Sequence, residues 1–372
     1  MSTTATCIET PDGQSVTVLS ATPAVTAWAA RYMGTWWNAH PTDPSAVTGP
    51  MVVADIDQAE TDALTGRVLA GDAEEVTYAN SRMVHRTTSA GSTIAAQPGD
   101  FLAYEWLPAS RRLRIVGKDA TAVATGAARL AREIVRGRLL ADGWHILHAS
   151  AVTRPTDGAT LLALGNKGAG KTTSGFLLAR CGFHLLANDR VFVRAEGDRV
   201  RVLPWPSAAA IGFGLLDALG WFETVRERLL SGEAMHPTQS RRVTDALLAG
   251  NRTPLWKSPG RELKPQFFPD QLRDWLSLTL ATEGTAAAVL FPTIAPDADP
   301  ALATTSRGIE PGDFFTGATE DRYPDVFGLL PPPRDTRDLA DRLAQLPHQG
   351  LTLSHDTSAS TVALEKAASQ VL

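Results

Sequence analysis

The eight residues Gly165-Asn166-Lys167-Gly168-Ala169-Gly170-Lys171-Thr172 constrain this chain more than any other stretch, because they match the spacing G-x-x-x-x-G-K-[ST]. They follow the apolar run Leu161-Leu162-Ala163-Leu164 and precede a helical stretch, residues 171–181, that stops before Gly182. Glycines let such a turn curl until successive N–H groups point inward, and the next helix offers its positive end to the same point. A loop built this way accepts phosphate oxygens. Lys171 is expected to neutralise the β- and γ-phosphates of a nucleotide and the Thr172 hydroxyl to reach Mg²⁺. The nucleotide-contacting set is Gly165, Asn166, Lys167, Gly168, Ala169, Gly170, Lys171, Thr172 and Thr173.

Two further groups belong with this loop. Residues 183–187, Phe-His-Leu-Leu-Ala, read as a buried strand that ends at Asn188 and Asp189. Ligands of an α/β sheet bind outside the carboxyl ends of strands, so Asp189 is expected beside the loop, ligating Mg²⁺ or taking a proton from an acceptor hydroxyl. Residues 145–152 and 160–164 read as strands joined by the turn-like Arg154-Pro155-Thr156-Asp157-Gly158. Antiparallel pairing would then set His148 opposite residues 165–167, where it can meet the γ-phosphate or orient an acceptor. His145 is three residues away, which along one strand puts it on the other face and argues against a shared metal site. Cys181 is read as a small buried hydrophobe. Asp55-Ile56-Asp57 lacks the glycine and glutamate of a Ca²⁺ loop and reads as a strand-end turn.

Composition removes several classes. The 372 residues carry 35 Lys+Arg against 40 Asp+Glu, a net charge of −5, which disfavours binding along a nucleic-acid backbone. The two cysteines, Cys7 and Cys181, form no C-x-x-C pair, so neither a disulfide framework nor a cysteine-based zinc site is expected. The amino terminus lacks the basic start and apolar stretch of a secretory signal, and no apolar run is long enough to cross a membrane; the tract 208–222 reads as core. A cytoplasmic protein with no membrane partner is the expectation.

The chain reads as two domains. Residues 1–118 form an α+β amino-terminal domain of unassigned role, with one helix over 23–37 and short strands such as 51–54 and 113–116. Trp28, Tyr32 and Trp36 share a stripe of that helix and are read as core. Residues 119–372 form an α/β nucleotide-type domain that opens with a helix over 119–140. The arginines Arg129, Arg132, Arg136 and Arg138 of that helix are read as a solvated face. A last helix is expected over 336–346. Lys167, Lys257, Arg261 and Lys264 are read as solvated basic side chains, with binding of phosphate or an acidic acceptor as the alternative.

The set Leu147-His148-Ala149, the loop 165–172 and Asn188-Asp189 resembles the carboxy-terminal domain of the HPr kinase/phosphorylase family, over about residues 132–194. That resemblance implies a P-loop kinase core of the phosphoenolpyruvate carboxykinase-like type, with ATP and Mg²⁺ as cofactors. It assigns Lys171 and Thr172 to phosphate and metal, Asp189 to the acceptor and metal, and His148 to the phosphate. It also implies a homo-oligomer. Two carboxylates of the family pattern are missing, since Asn166 and Asn188 stand at their places, and Pro204-Trp205-Pro206-Ser207 stands where the family has a glutamate-containing loop. The expected function is a kinase acting on a peptide serine or small-molecule hydroxyl, in the manner of divergent relatives beside natural-product or modified-peptide pathways. A nucleotide-gated regulatory module and an NTPase are the alternatives.

Overall fold

The computed structural model describes residues 3–315 and 323–372. Its contacts divide into two mixed α/β units, Met1–Trp144 with Thr316–Arg334, and His145–Phe315 with Asp335–Leu372.

The first unit opens with β1 (Thr4–Glu9), β2 (Ser15–Ser20), α1 (Pro23–Met33), β3 (His40–Thr42), β4 (Met51–Ile56) and α2 (Gln58–Leu69). A meander follows, of β5 (Glu74–Tyr78), β6 (Ser81–Thr87), β7 (Thr93–Gln97), β8 (Leu102–Leu107) and β9 (Arg112–Gly117), and then the long α3 (Ala120–Ala141). The strands make one nine-stranded sheet in the order β3-β1-β2-β4-β9-β8-β7-β6-β5. Leu64 and Val68 of α2 pack against Ile94, Ala96 and Val116 of the sheet. Asp57, from the strand-end turn after β4, caps α2 by accepting the Glu60 N–H. α1 stops at Gly34, so Trp36 lies beyond the helix; it is nonetheless fully buried.

α3 overturns two expectations. It is capped by Asp119 and packs on β2, β4 and β9, which moves the division between units from residue 118 to Trp144. Arg132 and Arg136 do not face solvent: both are buried and bind the buried Glu133 at 3.0 and 2.9 Å. Arg132 also donates to the Tyr32 hydroxyl at 3.1 Å. The reason lies in the chain's return to this unit. Residues 323–334 run along α3 so closely that a Cβ on Gly137 would stand 2.0 Å from the Leu329 carbonyl oxygen. The Arg129 and Arg132 guanidiniums lie over the Tyr323 ring at 5.1 and 5.5 Å. A helix covered on both sides has little solvated face left, and paired charges are the form in which arginine and glutamate tolerate burial.

The second unit begins with β10 (His145–Leu147), β11 (Ala149–Thr153), β12 (Ala159–Leu164), α4 (Lys171–Arg180), β13 (His184–Ala187), β14 (Val191–Glu196) and β15 (Arg199–Pro204). Smaller elements follow: β16 (Ala209–Ala210), α5 (Phe213–Ala218), α6 (Phe222–Leu230), α7 (Arg241–Leu248), β17 (Leu255–Ser258), β18 (Arg261–Leu263), β19 (Gln266–Phe267) and α8 (Pro269–Asp274). The unit closes with β20 (Gly284–Ile294), β21 (Ala301–Leu302), α9 (Arg337–Ala344), β22 (His348–Leu353) and α10 (Thr357–Val371). α10 is a correction, because the helix expected over 336–346 is not the last. Its buried face is Ser360, Ala363, Leu364, Ala367 and Ala368, too poor in large apolar residues to announce itself by periodicity.

The central sheet runs β10-β14-β15-β20-β12-β11-β13, with β22 beside β20. β12, β20 and β22 are parallel, and β13 points the same way because both it and β12 are antiparallel to β11. Four carboxyl ends therefore share one edge. Leu162 and Leu164 of β12 are buried in a cluster that includes Leu339 and Leu343 of α9. Phe213, Leu216 and Phe222 are buried, as expected of the tract 208–222. No helix among the described residues is long and apolar enough to cross a membrane.

Candidate functional site

The glycine loop occupies that shared edge. β12 is buried until Leu164, and the chain then turns through Gly165, Gly168 and Gly170, all at positive φ, before α4 starts at Lys171. Gly170, at φ 105°, is the residue on which α4 begins; a Cβ there would sit 3.0 Å from the Ile294 side chain and 3.4 Å from Leu353, at the ends of β20 and β22. Conformation and space both require glycine. Asn166, Lys167 and Gly168 are exposed, and Gly165, Ala169, Gly170, Lys171, Thr172 and Thr173 are half-buried. With three backbone turns of this kind ahead of a helix start, the loop is an anion-binding concavity in form.

Lys171 lies across the loop, its Nζ donating to the carbonyl oxygens of Gly165 at 2.6 Å and Asn166 at 3.1 Å. Burial lowers its pKa, and Arg307 adds to that; Asp189 and Asp313 oppose it. The Thr172 hydroxyl donates to the Asn188 carbonyl at 3.3 Å, linking the first turn of α4 to the end of β13. The Ser150 hydroxyl donates to the Ala187 carbonyl at 3.1 Å from the β11 side. Asp189 follows at the sheet edge, its carboxylate 57% exposed and 3.6 Å from Arg190 Nε. The sequence-expected acid thus stands close enough for its charge to oppose the lowering of the lysine's pKa.

His148 is placed differently from the expectation. The strand read over 145–152 is broken there: β10 pairs with β14, and β11 pairs with β12 and β13. The last β11–β12 pair is Ala149 with Leu164, which leaves His148 level with Gly165 but outside the ladder. Its N–H donates instead to the Asp313 carbonyl at 2.9 Å, and its ring meets Phe315 edge-on at 5.2 Å. The break also removes the alternation that set His145 on the opposite face.

Three charged residues at this site were missed. Arg307 grips Asp313 in a bidentate pair at 2.8 and 2.6 Å, and its guanidinium lies 4.3 Å from the Phe291 ring centre at the end of β20. Asp313 is buried and also accepts the Glu310 N–H at 2.8 Å. Arg190 lies 4.4 Å from the Phe315 ring and 5.6 Å from Trp205, which stacks on Phe192. Trp205 of the Pro204-Trp205-Pro206-Ser207 segment is thus buried against Arg190, the residue after Asp189. Only the Arg190 position had a sequence signal, its adjacency to Asp189. Cys181 ends α4, half-buried, with its thiol pushed up to about 11 by burial and by Glu365, which makes it a poor nucleophile. Among the described residues no group of three His, Cys, Asp or Glu side chains is arranged to hold a metal. The Thr172 hydroxyl and Asp189 carboxylate remain a fit for Mg²⁺ in the form it takes at nucleotides, with one or two protein oxygens and the rest from phosphate and water.

No protein-family model matches the chain, and no curated protein matches it. Among solved structures it is similar to the HPr(Ser) kinase/phosphatase from Coxiella burnetii, at 8% identity and a TM-score of 0.25, over 60% of this chain and 97% of that one. A TM-score of that size carries no argument about fold or activity.

Proposed function

We propose that the chain is an ATP·Mg²⁺-dependent phosphotransferase that moves the γ-phosphate onto a hydroxyl of a peptide serine or a small molecule. One observation carries this reading: the glycine loop with Lys171 and the carboxylate of Asp189 leave the same edge of one sheet, from β12 and β13, close enough to interact electrostatically. Loop N–H groups, the start of α4 and Lys171 gather the phosphates. Thr172 and Asp189 would hold Mg²⁺, which would supply neutralisation of the phosphate charge. Asp189, more than half exposed and only loosely held by Arg190, takes the proton of the acceptor hydroxyl as the new P–O bond forms and ADP leaves. His148 lines the approach beside Gly165. The motif resemblance of Leu147-His148-Ala149, the loop and Asp189 to HPr kinase/phosphorylase supports the same class.

The test is ATP consumption by the purified chain with Mg²⁺ and a panel of hydroxyl acceptors, with Lys171→Ala and Asp189→Asn in parallel. A phosphorylated acceptor that disappears in both variants is the expected result. Phosphate released without any acceptor product would make the chain an NTPase. Bound ATP with neither outcome would make it a nucleotide-gated module, the reading that Asn166 and Asn188 in place of family carboxylates would then explain.

A further inference from the structure

The β10–β14 and β11–β13 pairings are two halves of one interrupted ladder. The first runs from His145↔Val193 to Leu147↔Val191, and the second resumes at Ala151↔Ala187 in the same antiparallel register. The gap between them holds residues 148–150 on one strand and 188–190 on the other. Carried through that gap, the register sets His148 level with Arg190. One ring serves both side chains: the Arg190 guanidinium lies 4.4 Å from the centre of Phe315, and the His148 imidazole meets it edge-on at 5.2 Å.

This level is also that of the glycine loop. His148 stands beside Gly165, because the next residue, Ala149, pairs with Leu164. On the opposite strand the Asn188 carbonyl, two residues before Arg190, accepts the Thr172 hydroxyl at 3.3 Å. Asp189, between them, opposes the lowering of the Lys171 pKa. Arg190 is thus bracketed by residues that reach the first and the last position of the loop.

Aromatic faces hold the guanidinium there. Trp205, 5.6 Å away, is buried and stacks on the buried Phe192 at 5.1 Å. Phe315 is fixed through its N–H, which donates to the Ile146 carbonyl at 2.8 Å. Stacking uses the face of a guanidinium and leaves its N–H groups directed outward in the plane, so one arginine can meet a ring and an anion together. The Asp189 carboxylate comes only to 3.6 Å from Nε, beyond hydrogen-bond length, whereas Arg307 is closed on Asp313 in a bidentate pair. The Arg190 side chain is 22% exposed, so a ligand at the sheet edge can reach it.

We propose that Arg190 is a catalytic residue, donating hydrogen bonds to the non-bridging oxygens of the phosphoryl group as it leaves ATP. The assignment rests on the phosphotransferase reading above. The acceptor oxygen bonds to the γ-phosphorus as the bond from that phosphorus to the β–γ bridging oxygen breaks. The electron pair of the broken bond leaves with ADP, and the acceptor proton passes to Asp189. Arg190 exchanges no proton. Its preset charge favours the transition state over bound ATP, so turnover carries the effect and nucleotide affinity does not.

The test measures kcat and KM for ATP with Mg²⁺ and a panel of serine peptides and small alcohols. It uses the full chain as parent, Arg190→Lys, and Arg190→Ala with and without methylguanidinium; binding of a fluorescent non-hydrolysable ATP analogue and a urea unfolding curve are read for each. Arg190→Ala should lose about 10²- to 10³-fold in kcat, with KM and analogue affinity changed by less than about threefold. Arg190→Lys keeps the charge without the planar fork and should lose about tenfold or more. Methylguanidinium should restore kcat of Arg190→Ala in proportion to its concentration, which a merely structural arginine would not show. An Arg190→Ala variant within about threefold of the parent kcat overturns the assignment. So does a loss confined to analogue affinity, or a kcat loss that methylguanidinium leaves untouched in a variant as stable as the parent. Where Arg190→Ala does not fold, Arg190→Lys decides, and a parent-like kcat there overturns the assignment. A parent that turns over beside an equally active Arg190→Ala sinks this assignment alone. A parent that neither transfers nor releases phosphate sinks the phosphotransferase reading and Arg190 with it. Release to water alone, lost with Arg190→Ala, sustains Arg190 and sinks the kinase.

Discussion

The Nζ of Lys171 lies 2.6 Å from the carbonyl oxygen of Gly165, so the lysine bridges the glycine loop from its last turn to its first. A bound polyphosphate would draw the ammonium off that carbonyl and favour its charged form. Because burial holds the Lys171 pKa below the ordinary lysine value, protein without ligand releases this proton earlier than free lysine does. Affinity for an ATP analogue should therefore fall as pH rises through that lowered pKa, with proton uptake on binding at pH values below the ordinary lysine pKa. Lys171→Arg should flatten the profile, since arginine stays charged there. Calorimetry in buffers of different ionisation heat reads both effects.

Asp313 joins Arg307, the Glu310 N–H and, through its own carbonyl, His148. Asp313→Ala should cost about 1–3 kcal/mol, the range for stranding a buried hydrogen-bonded group when its cationic partner keeps some solvent contact. The loss should reach the site as well as the stability curve. Urea denaturation gives the first, and an altered His148 imidazole NMR signal the second; a variant as stable as the parent with an unmoved His148 would contradict the placement.

Glu133 is buried between Arg132 and Arg136 in the first unit. Burial alone would raise its pKa, but the two arginines and their hydrogen bonds outweigh it and hold the carboxyl below the ordinary glutamate range. A lowered acid pKa contributes stability that is present above the unfolded value and is lost as pH falls through the folded one. Glu133→Ala should cost about 3–5 kcal/mol near neutrality by leaving two arginines buried together, and should make the first unit's remaining stability less sensitive to acid. Unfolding midpoints compared between neutral and acidic buffer check this.

Gly137 touches the Leu329 carbonyl with no room for a methyl group. Gly137→Ala should push residues 323–334 off α3, despite alanine's better helix propensity, with a net cost of about 1–3 kcal/mol. Faster hydrogen exchange over 325–330 is the local sign, and unchanged exchange there would refute it.

The loop could be read from sequence because its chemistry is local: the glycines, Lys171 and Thr172 are consecutive, and a buried strand precedes them. The β11–β12 hairpin and the strand before Asp189 were legible for the same reason. What escaped depends on tertiary contacts. The break at His148 arises because β10 and β11 pair with different partners. The Arg307–Asp313 pair, twelve and more residues beyond β20, has no periodicity to betray it. Arg132 and Arg136 look solvated until residues 323–334 are laid over α3, and α10 hides behind an alanine-rich face.

The destination of the γ-phosphate tests the central claim most directly. ATP carrying heavy oxygen in its γ-phosphate is incubated with Mg²⁺, the full chain and hydroxyl acceptors, and all products are weighed by mass spectrometry. Labelled phosphate on an acceptor hydroxyl, absent with Lys171→Ala and reduced about 10²–10⁴-fold with Asp189→Asn, is the predicted result. Label that stays on ATP with every acceptor, or transfer that survives Lys171→Ala, would contradict it.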